Sequence, residues 1–169
     1  LIWETEAYSA EELSDGRVLM IPYPENEIRV CDKSLNYCQA LQVPLAYRSD
    51  SANDGVWIST KYGDGLWFLR HGKTVIYPIP EGDQYDSSVS HWLGDVCVWR
   101  GRVLVTDRDE GRVLVLDTIG KRYNPWTSIS LGDDGNPTRW ICGIPGGPIV
   151  IVQGKDSAAL FRISENPVT

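Results

Sequence analysis

Gly101-Arg102-Val103-Leu104-Val105-Thr106-Asp107-Arg108-Asp109-Glu110-Gly111-Arg112-Val113-Leu114-Val115-Leu116-Asp117 is the stretch whose reading decides the fold. Its two apolar runs, Val103–Val105 and Val113–Leu116, are short, rich in β-branched residues and bounded by Asp and Gly. That composition favours strands over helix. The connection Asp107–Gly111 is too short for a parallel crossover, so the two strands are expected to form an antiparallel hairpin. Neither run alternates cleanly between apolar and polar residues, which predicts a sheet covered on both faces. A lone hairpin is marginal in water, so the unit needs neighbours.

The sequence supplies them by repetition. Gly16-Arg17-Val18-Leu19, followed by Ile28-Arg29-Val30-Cys31-Asp32, repeats the pattern ahead of it in the chain. A second copy is Gly55-Val56-Trp57-Ile58-Ser59-Thr60 with Leu66-Trp67-Phe68-Leu69-Arg70, and Lys73–Tyr77 follows after a tight His71-Gly72 connection. A fourth is Gly147-Pro148-Ile149-Val150-Ile151-Val152 with Ala159–Ile163. Gly16, Gly55, Gly101 and Gly147 are separated by about 39, 46 and 46 residues, within the range of repeat arrays. Gln39–Val43, Tyr77–Ile79 and Ser128–Leu131 read as outer strands, and Ser90–Trp99 and Thr138–Gly143 as inner ones. Tyr8–Leu13 is too short to support a helix. Four strands at a period near 45 residues make a β-propeller blade. The expected fold is therefore all-β, a β-propeller of about four four-stranded blades. Residues 1–169 form one propeller domain or propeller portion, with repeats at approximately 14–45, 53–85, 95–131 and 138–165. Leu1–Thr5 would close the ring as an outer strand of the fourth blade. Alternatively the blades belong to a larger ring, completed by further chain or by self-association.

Composition narrows the functional classes. The chain has 169 residues, a formal net charge of −7 and 42% hydrophobic residues, which suits a globular domain and disfavours a broad nucleic-acid surface. No apolar run approaches the roughly 20 residues of a membrane span. Leu1–Glu6 has neither a basic n-region nor an apolar h-region, so no signal peptide is expected in it. The start without Met has the look of a mature end or an excised fragment. Cys31 and Cys38 flank a six-residue connection and could face each other across a hairpin as a disulfide. Cys97 and Cys142 occupy matching places in two repeats and read as small buried hydrophobes.

The repeat resembles the NHL repeat of β-propellers, including those at the C-terminus of tripartite-motif proteins. The residues that carry the resemblance are Asp15–Leu19 with Ile28–Asp32, and Gly101–Asp107 with Gly111–Asp117. They look like the family's glycine-led strand ending in Asp, a polar turn, and an Arg-led strand ending near Asp. The second copy is heavier, with Trp57, Trp67 and Phe68, and the fourth lacks both Asp. The resemblance implies a binding module that holds protein or RNA on one face of the disc, and some relatives are enzymes. The RNA-binding relatives use a strongly basic face. Here Arg17, Arg29, Arg100, Arg102, Arg108, Arg112 and Arg122 are expected to pair with neighbouring Asp instead, so nucleic acid is not the expected partner.

No motif in the chain names a reaction. His71 and His91 are the only histidines and belong to no HExxH or GxSxG pattern. Asp107–Gly111 faintly resembles a calcium loop, but the twelve-residue spacing is missing. No cofactor is predicted, and calcium is the one ion the sequence leaves room for. Asn53, Asp95 and Asn136 precede successive inner hairpins and are the only set that could ring a catalytic metal, as in a lactonase-like hydrolase. Seven tryptophans invite packing between blades, and Trp3 and Trp126 are candidates for exposure, where indoles suit glycans or protein hot spots. The expected function is a non-catalytic interaction module. Its loops Pro22–Glu27, Tyr62–Gly65, Asp107–Gly111 and Gln153–Ser157 should lie on one face and meet a protein partner, with Trp126 and Asp133–Asn136 away from it. The nominated binding residues are Tyr62, Asp64, Arg108, Asp109, Glu110 and Trp126. A metal-dependent hydrolase and a Trp-rich glycan binder are the alternatives.

Overall fold

A computed structural model of the chain describes residues 7–23, 27–61, 65–78, 92–109, 111–117, 127–130, 138–144, 149–153 and 157–161. The opening hairpin forms as expected. β-Strands in chain order are β1 (Ala7–Glu12), β2 (Val18–Pro22), β3 (Ile28–Cys31), β4 (Cys38–Leu41), β5 (Ala46–Ala52), β6 (Gly55–Thr60), β7 (Gly65–Arg70) and β8 (Lys73–Pro78). They continue with β9 (Leu93–Trp99), β10 (Arg102–Asp107), β11 (Arg112–Asp117), β12 (Thr127–Ser130), β13 (Thr138–Gly143), β14 (Ile149–Gln153) and β15 (Ser157–Phe161). β10 pairs with β11 antiparallel, from Arg102 opposite Asp117 to Asp107 opposite Arg112.

Four antiparallel sheets result, in the orders β1-β2-β3-β4, β5-β6-β7-β8, β9-β10-β11-β12 and β13-β14-β15. We call them blades 1 to 4. Consecutive blades meet through their first strands, β1 on β5, β5 on β9 and β9 on β13. Three apolar clusters occupy the three interfaces. Leu19, Ile28, Val30, Val56, Ile58 and Leu69 lie between blades 1 and 2, and Trp57, Phe68, Val103, Val105, Leu114 and Leu116 between blades 2 and 3. Trp99, Leu104, Val113, Val115, Ile141 and Ile151 lie between blades 3 and 4. Alternate residues of β10 and β11 thus enter opposite cores. This is why their runs do not alternate in polarity.

Two hairpins close with an X-Gly pair at positive φ. His71 and Gly72 stand at 48° and 74°, and Arg100 and Gly101 at 49° and 75°. Both residues on the left-handed side is the type I′ arrangement that matches strand twist, and it is the reason glycine holds the second place. Cys31 and Cys38 are direct cross-strand partners of β3 and β4 and form a disulfide.

The structure adds two strands the sequence does not announce, β1 and β5. Tyr8–Glu12, with no legible structure in sequence, lies within β1, the first strand of blade 1. In β5 (AYRSDSA) only Ala46 and Ser49 are buried, and β1 has no buried residue. Both run along the inner side, where hydrogen bonds to β2 and β6 hold them, so no hydrophobic pattern is required. Leu1–Thr5, the expected closing strand, lies outside the described residues.

Candidate functional site

Strand directions define two rims. One carries the β1–β2, β3–β4, β5–β6, β7–β8 and β9–β10 turns and is called the hairpin rim. The other, the loop rim, carries the β2–β3, β6–β7, β10–β11 and β14–β15 connections. The described strand ends that flank the four loops expected to share one face all lie at the loop rim. Asp133–Asn136 lies outside the described residues, but the flanking Ser130 and Thr138 pair with Arg112 and Gln153, both at the loop rim.

Each first strand carries a bulge near its start, at the loop rim. Tyr8 is extra between the pairs Ala7–Pro22 and Ser9–Ile21, and Tyr47 between Ala46–Thr60 and Arg48–Ser59. Gly94 and Asp95 together face Thr106, and Arg139 is extra in β13. A bulge at a strand end re-aims the local side chains. Here it accompanies a row of rings. Tyr8 meets Tyr23 at 5.0 Å and Tyr47 at 5.1 Å between ring centres, and Tyr47 meets Trp92 at 6.3 Å, all edge to face.

Three cations lie on that row, two of them at matching places in their blades. The residue after the second strand is Lys61 in blade 2 and Arg108 in blade 3. Each donates its backbone N–H to the residue before the first strand, Lys61 to Leu45 at 2.8 Å and Arg108 to Trp92 at 3.0 Å. The Lys61 ammonium donates to the Tyr8 hydroxyl at 3.0 Å and stands 4.3, 4.6 and 5.6 Å from the ring centres of Tyr8, Tyr47 and Trp92. The Arg108 guanidinium lies 4.1 Å from the Trp92 ring, and Arg48 lies 4.9 Å from Tyr47. Such contacts contribute about 0.5–2 kcal/mol each, depending on desolvation. Neither Lys61 nor Arg108 forms an ion pair among the described residues. An acidic chain thus presents local positive charge on an aromatic platform.

Of the nominated binding residues, Arg108 and Asp109 are described, and both belong to this cluster. The Asp109 carboxylate accepts the Trp92 N–H at 2.8 Å. Tyr62, Asp64, Glu110 and Trp126 lie outside the described residues. Asp107 is fully buried and bonded to Arg112 Nε at 3.0 Å, a structural use of the faint calcium-loop sequence. Arg17 likewise pairs with Asp15, at 2.7 Å. Of the set Asn53, Asp95 and Asn136, the two described residues are not brought together. Asn53 sits in the β5–β6 turn at the hairpin rim, Asp95 lies in the β9 bulge towards the loop rim, and Asn136 is outside the described residues. No group of three or more His, Cys, Asp or Glu placed to hold a metal occurs among the described residues. Cys97 is buried, and burial pushes its thiol up to about 12, whereas Cys142 is exposed, contrary to its expected burial. The reason is position: Cys142 lies on β13 beyond the last described interface, and Trp140 on the same strand is exposed as well.

Inner-strand carboxylates join blade to blade. Glu11 accepts the Ser51 hydroxyl at 3.0 Å, Asp50 accepts the Val98 N–H, and Asp95 accepts the Ile141 N–H at 3.1 Å. Burial pushes all three carboxyls above their ordinary values, partly opposed by these same hydrogen bonds. A carboxyl raised on folding binds more protons in the folded state. Its contribution is complete below the unfolded value, 3.8 for Asp and 4.5 for Glu, and is lost as pH rises through the folded value. Asp50→Asn should therefore flatten the decline of the urea midpoint as pH rises above the ordinary Asp value of 3.8. A slope identical to that of the native chain would contradict this assignment.

No family model and no curated protein matches the chain. Solved structures do. A catalytically inactive virginiamycin B lyase from Staphylococcus aureus, solved with quinupristin, superposes at TM-score 0.69 and 14% identity over 85% of this chain and 47% of its own. YCF48 bound to D1 peptide gives 0.70 at 9% identity, over 95% of this chain and 51% of its own. The computationally designed Ika4 protein gives 0.64 at 12% identity, over 96% of this chain and 94% of its own. The chain spans about half the length of the lyases it matches, 47–57%. Among the described residues no helix is long and apolar enough to cross a membrane. At these identities the likeness concerns the fold alone: the four sheets are blades of a β-propeller.

Proposed function

We propose that this propeller is a non-catalytic, NHL-like interaction module that holds a protein partner on its loop rim. The observation that carries the reading is the row Tyr8, Tyr47 and Trp92 with Lys61 and Arg108 laid on it. Aromatic residues and Arg dominate binding energy in protein interfaces, and this row combines both on a rigid support. Tyr23, 49% exposed beside Tyr8, extends it outward. The structure of YCF48 with D1 peptide supports the reading to the extent that a similar fold accommodates a peptide. The test is capture of partners from cell extract by the immobilised chain, quantified by mass spectrometry. Lys61→Glu and Arg108→Glu should each reduce the captured partner by about tenfold or more, while Lys33→Glu at the hairpin rim should not. Equal recovery on all three folded variants would overturn the proposal.

A further inference from the structure

We propose a second site at the opposite rim: the cleft between blades 1 and 2 binds a small, neutral aromatic molecule. A cleft of about 450 Å³ opens there, floored by Leu13, Val30 and Leu41 of blade 1 and Val56 and Leu69 of blade 2. That volume lies in the range of ligand sites, and about half of the lining residues, those around the apolar floor, are polar or charged.

Strand register explains why the cleft is open. Pro22 and Thr60 hold the same place beside the first-strand bulge, so Leu19 in β2 corresponds to Trp57 in β6. Their partners correspond in turn. Val30 lies opposite Leu19 as Phe68 lies opposite Trp57, and Leu41 lies opposite Ile28 as Tyr77 lies opposite Leu66. Blade 2 thus sends Trp57, Phe68 and Tyr77 into its interface with blade 3, with ring centres 4.5 and 5.0 Å apart. Blade 1 sends Leu19, Val30 and Leu41 into its interface with blade 2.

Blade 3 also places small residues, Leu104 and Val115, at the first two of these positions, yet its interface with blade 4 is filled by Trp99. Gly143 makes the room, since a Cβ there would lie 2.5 Å from the indole. The residue of blade 1 that corresponds to Trp99 is Leu13, because Glu12 and Val98 pair with the equivalent Val18 and Val103. The interface between blades 3 and 4 therefore contains an indole at this position, where the first has Leu13; the tryptophan of the first interface, Trp67, packs against its core from β7 instead.

The mouth indicates that the occupant is neutral. Its carboxylates are already paired, Asp15 with Arg17 at 2.7 Å, Glu12 with Lys33 at 3.4 Å and Asp54 with Arg70 at 3.4 Å. Gln39, Asn53 and His71 add hydrogen-bonding groups along the edge.

The experiment titrates the full chain with indole, tryptamine and indole-3-acetate and follows backbone amide resonances. Indole should shift the amides of Leu13, Val30 and Leu69 saturably, and more strongly than either charged analogue. Two variants copy the neighbouring interfaces: Val30→Phe with Leu41→Tyr, and Leu13→Trp. Each should weaken indole binding by about tenfold or more and melt no lower than the native chain. Unchanged indole affinity in the folded variants would overturn the proposal. So would shifts confined to the Tyr8–Trp92 row, or tighter binding of a charged analogue. The native titration decides the matter even if one variant fails to fold. Loss of this site would leave the loop-rim reading intact, because the two lie on opposite rims.

Discussion

Trp57→Ala should destabilise the chain by about 3–5 kcal/mol, the usual cost of emptying a buried aromatic position. Trp57 is 3% exposed and stacks on Phe68 at 4.5 Å, with Tyr77 at 5.0 Å, in the interface between blades 2 and 3. Its place in the middle of β6 leaves little freedom for the surrounding strands to collapse into the void. Trp140, 46% exposed on β13, is the natural control, and its truncation should change stability by no more than about 0.5 kcal/mol. Urea unfolding of the two variants measures the contrast. Equal losses would mean that the blade interface does not depend on its aromatic filling.

The second large effect is expected at Asp107. Asp107→Ala leaves the Arg112 guanidinium, 20% exposed, without the carboxylate that holds its Nε at 3.0 Å. Removing one member of a buried pair costs about 3–5 kcal/mol, and the residual exposure of Arg112 places this case near the lower end. The pair lies at the end of the β10–β11 hairpin, so the loss should also loosen the turn that carries Arg108 and Asp109. Replacing both Asp107 and Arg112 with Val should recover part of the loss, because both members of the pair are then removed together. Asp15→Ala, which breaks an exposed pair of the same chemistry, should leave the unfolding midpoint unchanged. A midpoint shift at Asp15 as large as that at Asp107 would contradict the role assigned to burial.

These contrasts show which parts of the molecule were legible in the sequence. The middle strands were legible because they are buried on both faces. Val103–Val105, Val113–Leu116 and Val56–Ile58 read as unbroken apolar runs, and the turns between them carry Gly and Asp for conformational reasons. The first strands were legible only where they carry apolar residues. Leu93–Trp99 does so, whereas Ala7–Glu12 and Ala46–Ala52 are held by backbone pairing and face the inner side. Their composition is that of a loop.

The candidate site was visible only in part for the same reason. Arg108 and Asp109 stood out as polar turn residues, but Tyr8, Tyr47 and Lys61 did not, and Trp92 read as a strand residue packed between blades. One signal was available. Ala7-Tyr8-Ser9-Ala10-Glu11 and Ala46-Tyr47-Arg48-Ser49-Asp50 share an Ala-Tyr pair at the same 39-residue interval that separates Gly16 from Gly55. No sequence pattern announces the bulges that set these rings at the rim, since a bulge is a property of register between two strands. The cleft between blades 1 and 2 was equally hidden. It follows from Leu19, Val30 and Leu41 standing where Trp57, Phe68 and Tyr77 stand in the next blade, a correspondence that only pairing reveals.

The most direct test of the central claim is site-specific photo-crosslinking from two exposed tyrosines on opposite rims. Tyr23, 49% exposed, lies at the loop rim beside Tyr8, and Tyr37, 75% exposed, precedes β4 at the hairpin rim. With a benzophenone amino acid at one position or the other, a partner protein should crosslink from position 23 and not from position 37. Crosslinks to the same partner from position 37 alone would contradict the assignment of the loop rim as the docking face.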